Sequence, residues 1–403
     1  MQWLIRVRSG SHSSFEMTVD RVLICVTLLL FFRPPVVERF GVLNEIANIG
    51  LLFSMIVATL LLILRTGIRL DIFSIIAIVY FSYLFIITCI NNESLVRALM
   101  YSGVGIVSVL FFKSLIESEL PLFLLAMKML AILFIPLNLI TMLCIPSGFA
   151  HSGVHPVFLL GQATRFIFFY FPALLCSVLN DYLRCQRLSW ETVLLFVLSL
   201  VSVVWGGTAA GSILVLLLFA CIIFAKSFRF RKLIRPIVLL SVQIALFFLI
   251  TFFRIQNYFA EGALAVLGKD VTLSSRTYIW DSALRMINSS PDSLLWGHGV
   301  LQNSDMVNLF NFVHCHNHLL QVLFNGGVVG FLLFVTLIVV SYASMVATKD
   351  KLPTSVIAGT LFLFSVALLF DSVDGVRNYY IVLLQMGALC PYFVKWPKQR
   401  EGS

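Results

Sequence analysis

The chain has 403 residues, 60% of them hydrophobic and 12% charged, with a formal net charge of +9. A soluble domain averages about 25% charged residues, so this composition excludes a water-soluble fold and calls for lipid. The basic residues fall in short clusters between apolar runs, which argues against nucleic acid as a partner and fits loops facing anionic membrane lipid.

A spanning helix needs about 20 mostly apolar residues. Along the chain, candidate spans fall at 18–37, 42–64, 70–90, 95–114, 119–143, 161–180, 189–205, 209–225 and 236–253, then, after a long loop, at 319–346, 354–372 and 378–394. The expected fold is therefore an all-α integral membrane protein with about twelve transmembrane helices. Arg21 and Arg33 interrupt the first segment. It ends at Arg33-Pro34-Pro35 without a small-residue cleavage site, so a retained helix is expected rather than a signal peptide. Only a Gly/Ala/Thr turn at 206–211 parts the seventh and eighth segments. Cysteines 25, 89, 144, 176, 185, 221, 315 and 390 lie mostly in apolar runs and form no CxxC pair, as packing residues would.

The Lys/Arg distribution predicts orientation. With a cytoplasmic N-terminus and alternating sides, eighteen Lys/Arg fall inside and eight outside, the densest inner cluster lying at 226–235. Both termini are then cytoplasmic, and the one long loop, 254–313, is extracytoplasmic. The chain divides into a membrane bundle of nine helices at 1–253, a catalytic loop at 254–318, and the last three helices with a cytoplasmic tail at 319–403. Loops of this length are functional or disordered, and this one carries helix signals. Ser274-Ser275 suits an N-cap, Ile279, Ala283, Met286 and Ile287 form one apolar stripe, and Ser289-Ser290-Pro291 stops the helix. Such an amphipathic helix would lie along the membrane surface or pack on the bundle.

Several residues here can carry chemistry. Arg276 and Trp280 are four apart and share a helix face, and Asp281 and Arg285 have the spacing of a pair. Arg276 is either a solvated charge or a phosphate clamp, since guanidinium offers planar bidentate donors. His314-Cys315-His316-Asn317-His318 opens the tenth segment. Three alternating histidines and a cysteine suit a metal site, a polar helix cap or a general base. No neighbouring acidic or Cys/His group completes a tetrahedral set, so no metal is expected. Arg165, at the edge of the sixth segment, either snorkels to the lipid boundary or faces the interior. The last outer turn, 371–377, brings Asp371, Asp374 and Arg377 without the DxD spacing of a metal-dependent nucleotide-sugar transferase. No P-loop, Rossmann fingerprint or GxSxG elbow occurs.

His316-Asn317, nine residues, Gly327, two residues and Gly330 form H-N-x9-G-x-x-G, which resembles the hallmark of the O-antigen ligase and polymerase superfamily of bacterial membrane glycosyltransferases. The run LGKDVTLSSRTYIW at 267–280 looks like a stretch of exopolysaccharide polymerases in that superfamily. Gly297-His298-Gly299 resembles their GxG, and Arg165 with Phe171-Pro172-Ala173-Leu174-Leu175 is similar to an arginine-then-FPALL helix of some ligases. The turn at 206–212 lacks the Ser-Arg-Gly of many ligases, which tilts the resemblance toward polymerases.

The resemblance implies a polysaccharide polymerase of the bacterial inner membrane that moves a growing glycan from undecaprenyl diphosphate to a lipid-linked repeat unit. Its partners would be those lipid-linked oligosaccharides, membrane lipid and, as a further candidate, a chain-length regulator protein. It implies no cofactor. His316 would be the general base, while Arg276, Arg165 and Arg377 would bind the donor diphosphate. Asn317, Trp280, Gly327 and Gly330 would support them. The alternatives are an O-antigen ligase acting on lipid A–core and a glycan transporter or flippase. The late, external position of the long loop argues against the transporter.

Overall fold

The computed structural model describes residues 4–7, 15–67, 69–91, 94–152, 155–227, 231–255, 274–310, 313–348, 351–373, 375 and 377–399. The helices in chain order are α1 (Val19–Phe31), α2 (Gly41–Thr66), α3 (Ile72–Ile90), α4 (Leu95–Ser118), α5 (Leu120–Cys144), α6 (Phe166–Cys185), α7 (Trp190–Trp205), α8 (Ala209–Ala225) and α9 (Pro236–Thr251). Then come α10 (Ser274–Ile287), α11 (Pro291–Trp296), α12 (Asn303–Phe310), α13 (His318–Ala347), α14 (Leu352–Ala367), α15 (Tyr379–Ala388) and α16 (Cys390–Gln399).

Eleven of the twelve apolar segments each fall on one α-helix, and the last, 378–394, is shared between α15 and α16. Among the described residues, six are long and apolar enough to cross a membrane by length and composition: α2, α3, α4, α5, α13, and α6 with its preceding turn. Helices α7, α8, α9, α14 and α15 are apolar but run 10–17 residues, and α1 covers 13. The protein is thus a helical, multi-pass membrane protein, in which six helices have full spanning length among the described residues and the other apolar helices are shorter. Two small antiparallel sheets depart from the all-α expectation. β1 (Leu4–Val7) pairs with β2 (Phe15–Thr18), and β3 (Ala150–Ser152), β4 (His155–Phe158) and β5 (Gly161–Gln162) form a meander. The meander takes the first residues of the expected sixth span, so α6 begins at Phe166.

The chain forms two compact units built from interleaved stretches. The first comprises 1–69, 110–216 and 396–403. In it α5 packs on α6 and α7, and α1 on α2. Two buried polar clusters are matched inside it, as an apolar medium favours. Lys128 of α5 meets Asp181 at 2.7 Å and Glu191 at 2.9 Å, while Asn138 holds the Tyr170 hydroxyl and the Leu160 N–H. The second unit comprises 70–109 and 217–395, and its axis is α13, which packs against α3, α9, α10, α11, α14 and α15.

The loop helices belong to this second unit. Ile279, Ala283 and Ile287 of α10 are buried together with Trp280, Leu301, Met306, Cys315, Leu320 and Phe324, and Met286 packs beside them. The apolar stripe therefore docks on α13 rather than lying free. Asp281 does not pair with Arg285: it binds Arg254 at 2.6 Å, and Arg285 donates to Ser282 instead. Arg254, just past the end of α9, also lies 5.5 Å over the Trp280 ring, so a long-range partner outcompetes the local one. The first part of the polymerase-like run, 267–273, lies outside the described residues.

Candidate active site

The head of α13 is built by short-range capping chemistry. Asn317 is the N-cap. Its Oδ1 accepts from the Leu320 N–H at 3.1 Å, and its Nδ2 donates to Thr251 Oγ1 on α9 at 3.0 Å. Gln321 reaches back to accept from the Cys315 N–H at 2.7 Å and donates onward to Asn325 at 2.8 Å. Asn317, Gln321 and Asn325 recur at intervals of four, so they form one polar stripe on an apolar helix. Sequence reasoning passed over Gln321 and Asn325, although that interval was the signal.

The three histidines do not point the same way. His316 has φ +49°, an uncommon backbone for a residue with a side chain. That turn aims its N–H back at His314 Nδ1, 3.2 Å away, and the two rings sit 4.1 Å apart, tilted by 52°. His318 is buried below, its Nδ1 3.2 Å from Ser372 Oγ. His316 is half-buried and is the most accessible of the three.

The turn before α15 supplies the acidic group that the local sequence lacked. Asp371 Oδ1 lies 3.6 Å from His314 Nε2 and accepts the Ser372 N–H at 2.7 Å. His314, His316 and Asp371 offer ligand atoms all within 4.8 Å of one another, so residues for a metal are present after all. The hydrogen bonding works against that use. An imidazole nitrogen that accepts a hydrogen bond leaves the proton on the other nitrogen. His314 Nδ1 accepts from His316, so its Nε2 presents N–H to Asp371 rather than a lone pair to a cation.

Arg276, at the start of α10, is half-buried. Burial lowers its guanidinium from the ordinary value, and the nearby Asp371 charge raises it again. Arg276, Asp371, His314 and His316 thus form one constellation of charge and proton acceptors. Arg377 is half-buried in the same turn, one residue before Asn378, which caps α15. Arg165 is half-buried at the end of a 3-10 turn before α6, in the first unit.

Residues 194–335 match the family described as O-antigen ligase. The match supports the O-antigen ligase/polymerase superfamily over this segment. It runs from α7 through the loop helices into α13 and contains the full H-N-x9-G-x-x-G motif. No curated protein matches the chain.

The two glycines of the ligase-family motif have distinct structural jobs. Gly327 breaks α13, with φ +58° and ψ −164°. The break leaves the Phe324 and Asn325 carbonyls open, and these accept from His298 N at 3.0 Å and Gly299 N at 2.9 Å. The Gly297-His298-Gly299 segment is thereby latched to α13 by backbone bonds. Gly330 lets Tyr83 of α3 lie close, since a Cβ there would meet its ring at 3.1 Å. The Tyr83 hydroxyl in turn bonds the Trp296 carbonyl at 2.9 Å and the Gly326 carbonyl at 2.8 Å. Thr88 and Asn91, also near the end of α3, bind Val300 N and the Gly297 carbonyl. His298 stacks on Phe324 at 4.6 Å, and its burial lowers its pKa from the ordinary value.

Proposed function

We propose that the protein is a polysaccharide polymerase that transfers a growing glycan from undecaprenyl diphosphate to a hydroxyl of the next lipid-linked repeat unit. The observation that carries this is the accessible His316 beside His314 and Asp371, with Arg276 in the same charge field, inside the ligase-family segment. His316 takes the proton of the attacking hydroxyl. The hydroxyl oxygen forms a bond to the anomeric carbon as the bond to the diphosphate breaks. The leaving diphosphate gathers negative charge, which Arg276 neutralises through bidentate donors. Asp371 faces the His314 Nε2–H and orients that ring against His316. The tautomer of His314 supports chemistry without a metal. Attack opposite the leaving group inverts the anomeric centre.

The polymerase-like run at 267–280 and the arginine-free turn at 206–212 favour a polymerase over a ligase. The Lys/Arg bias supports an inner-membrane orientation with cytoplasmic termini and the 254–313 loop in the periplasm. Donor binding by Arg165 and Arg377 rests on the resemblance and on the half-burial of both.

Deleting the gene in a lipopolysaccharide-making host tests the reading. Loss of a polymerase leaves single repeat units, which a separate ligase caps onto the core as one short band without a ladder. A bare core with long carrier-linked chains overturns the polymerase in favour of a ligase. Unchanged glycan of both kinds overturns the enzyme reading.

A further inference from the structure

Beneath the head of α13 lies a cavity of about 10 Å³ lined by Gln243, His318, Ser365, Tyr380 and leucine side chains. His318 is 1% exposed, and its ring stands edge-on to Phe334 and Tyr380. Its Nδ1 faces Ser372 Oγ, while its buried Nε2 has no hydrogen-bond partner among the described residues. An unpaired buried nitrogen is costly.

The donors around the cavity can be assigned in direction. Ser365 Oγ donates to the Leu361 carbonyl at 2.8 Å, so its 2.8 Å bond to Tyr380 uses the tyrosine hydrogen. The Tyr380 oxygen accepts from Gln243 Nε2 at 3.1 Å, and Gln243 Oε1 accepts from Tyr342 at 3.1 Å. Gln243 Nε2 carries two hydrogens, and this chain uses one. The cavity is walled mostly by apolar side chains, but it holds a spare donor and an unpaired nitrogen as two polar partners and has about the volume one water needs.

We propose that this cavity holds one buried water that accepts from Gln243 and donates to His318 Nε2, making His318 a positioning residue for the site above. With Nε2 accepting, the ring proton sits on Nδ1 and donates to Ser372 Oγ. Ser372 in turn gives its N–H to Asp371, whose carboxylate faces His314 and Arg276. His318 and its water thus hold the Asp371 carboxylate in register through Ser372. The backbone joins in the same clamp, since the His318 N–H bonds the Leu368 carbonyl at 2.9 Å. The activity readout of this inference rests on the glycosyl-transfer reading, but the water does not.

The test uses the full-length protein. A density map resolved to individual waters should show one peak within hydrogen-bond distance of His318 Nε2, and an empty cavity overturns the proposal. In membrane vesicles with the host's own lipid-linked repeat units, Ser372→Ala should lower kcat about tenfold and leave the donor KM unchanged, while Ser372→Thr should restore the rate. His318→Gln should lose a similar factor, and the double variant should be no slower than the slower single one. Wild-type kcat in Ser372→Ala, or losses that multiply in the double variant, overturns the positioning role. Should His318→Gln fail to fold, Ser372→Ala, which removes one hydroxyl, and the map carry the test. An inactive His316→Ala beside a normal Ser372→Ala sinks this inference alone, whereas normal activity in both sinks the functional reading with it.

Discussion

His316 combines two properties that seldom coincide. It adopts a left-handed backbone conformation that costs about 1–3 kcal/mol for a residue of its kind, and its half-buried side chain is the most accessible of the three histidines. The turn has a local return, because it aims the His316 N–H at His314 and lets Asn317 begin α13. Replacing His316 with alanine should lower transfer by about 10²–10⁴-fold while membrane expression stays normal, as assayed by glycan products against immunoblot level. Near-normal products would remove it as the base. Arg276→Lys keeps the charge and loses the planar fork. Its rate should fall at least about tenfold, the size of one lost charge-assisted hydrogen bond. A lysine variant with full activity would mean that a point charge is enough. Chelator treatment of purified protein should leave activity intact. Activity that vanishes and returns with a divalent ion would show that His314 gives up its bond to His316 and turns to a cation.

Helix α13 is shaped by a break as much as by its apolar face. An alanine Cβ at Gly327 would sit 2.4 Å from the Leu295 carbonyl oxygen, and one at Gly297 would sit 2.4 Å from Gly327 N. Neither contact can relax while the loop stays latched, and the left-handed conformation at each position adds about 1–2 kcal/mol. Gly327→Ala should therefore release the 295–299 segment from α13. The expected signs are a lower thermal midpoint in detergent, faster proteolysis between α11 and α12, and loss of transfer. Gly375, with open space where its Cβ would go, serves as the control and should tolerate alanine. Unchanged proteolysis in Gly327→Ala would mean that the latch is not what holds the loop. The spacing of these glycines is plain in the sequence. Their purpose is not, because the atoms they accommodate belong to α3 and α11, distant in the chain.

At the level of the whole molecule, the proposed orientation rests on the Lys/Arg bias and can be measured directly. Cys144 and Cys185 are the exposed cysteines among the described residues, so both are first replaced by serine. A cysteine at Ser304, exposed on α12, should then react with a membrane-impermeant thiol reagent in outer-membrane-permeabilised cells. Labelling only after lysis would invert the topology and remove the lipid-linked mechanism. Six of the twelve expected spans have full crossing length among the described residues. Hydropathy registers any apolar run, but α7, α8, α9, α14 and α15 are each shorter than the roughly 20 residues that cross a bilayer straight.

The sequence by itself determined what local forces control. Apolar runs become helices, Ser289-Ser290-Pro291 follows the end of α10, the α10 stripe is apolar, and H-N-x9-G-x-x-G lies in the segment that matches the O-antigen ligase family. Each of these depends on neighbours within a few residues, where spacing and side-chain type are decisive. Tertiary structure alone decided which distant groups meet. Asp371 comes to His314 across 57 positions, Arg254 takes Asp281 from Arg285, and His318 turns away from its companions toward Ser372. Those partnerships arise because the loop helices, α9, α14 and the turn before α15 all converge on the head of α13. Convergence of that kind depends on packing the whole unit, and no local spacing encodes it.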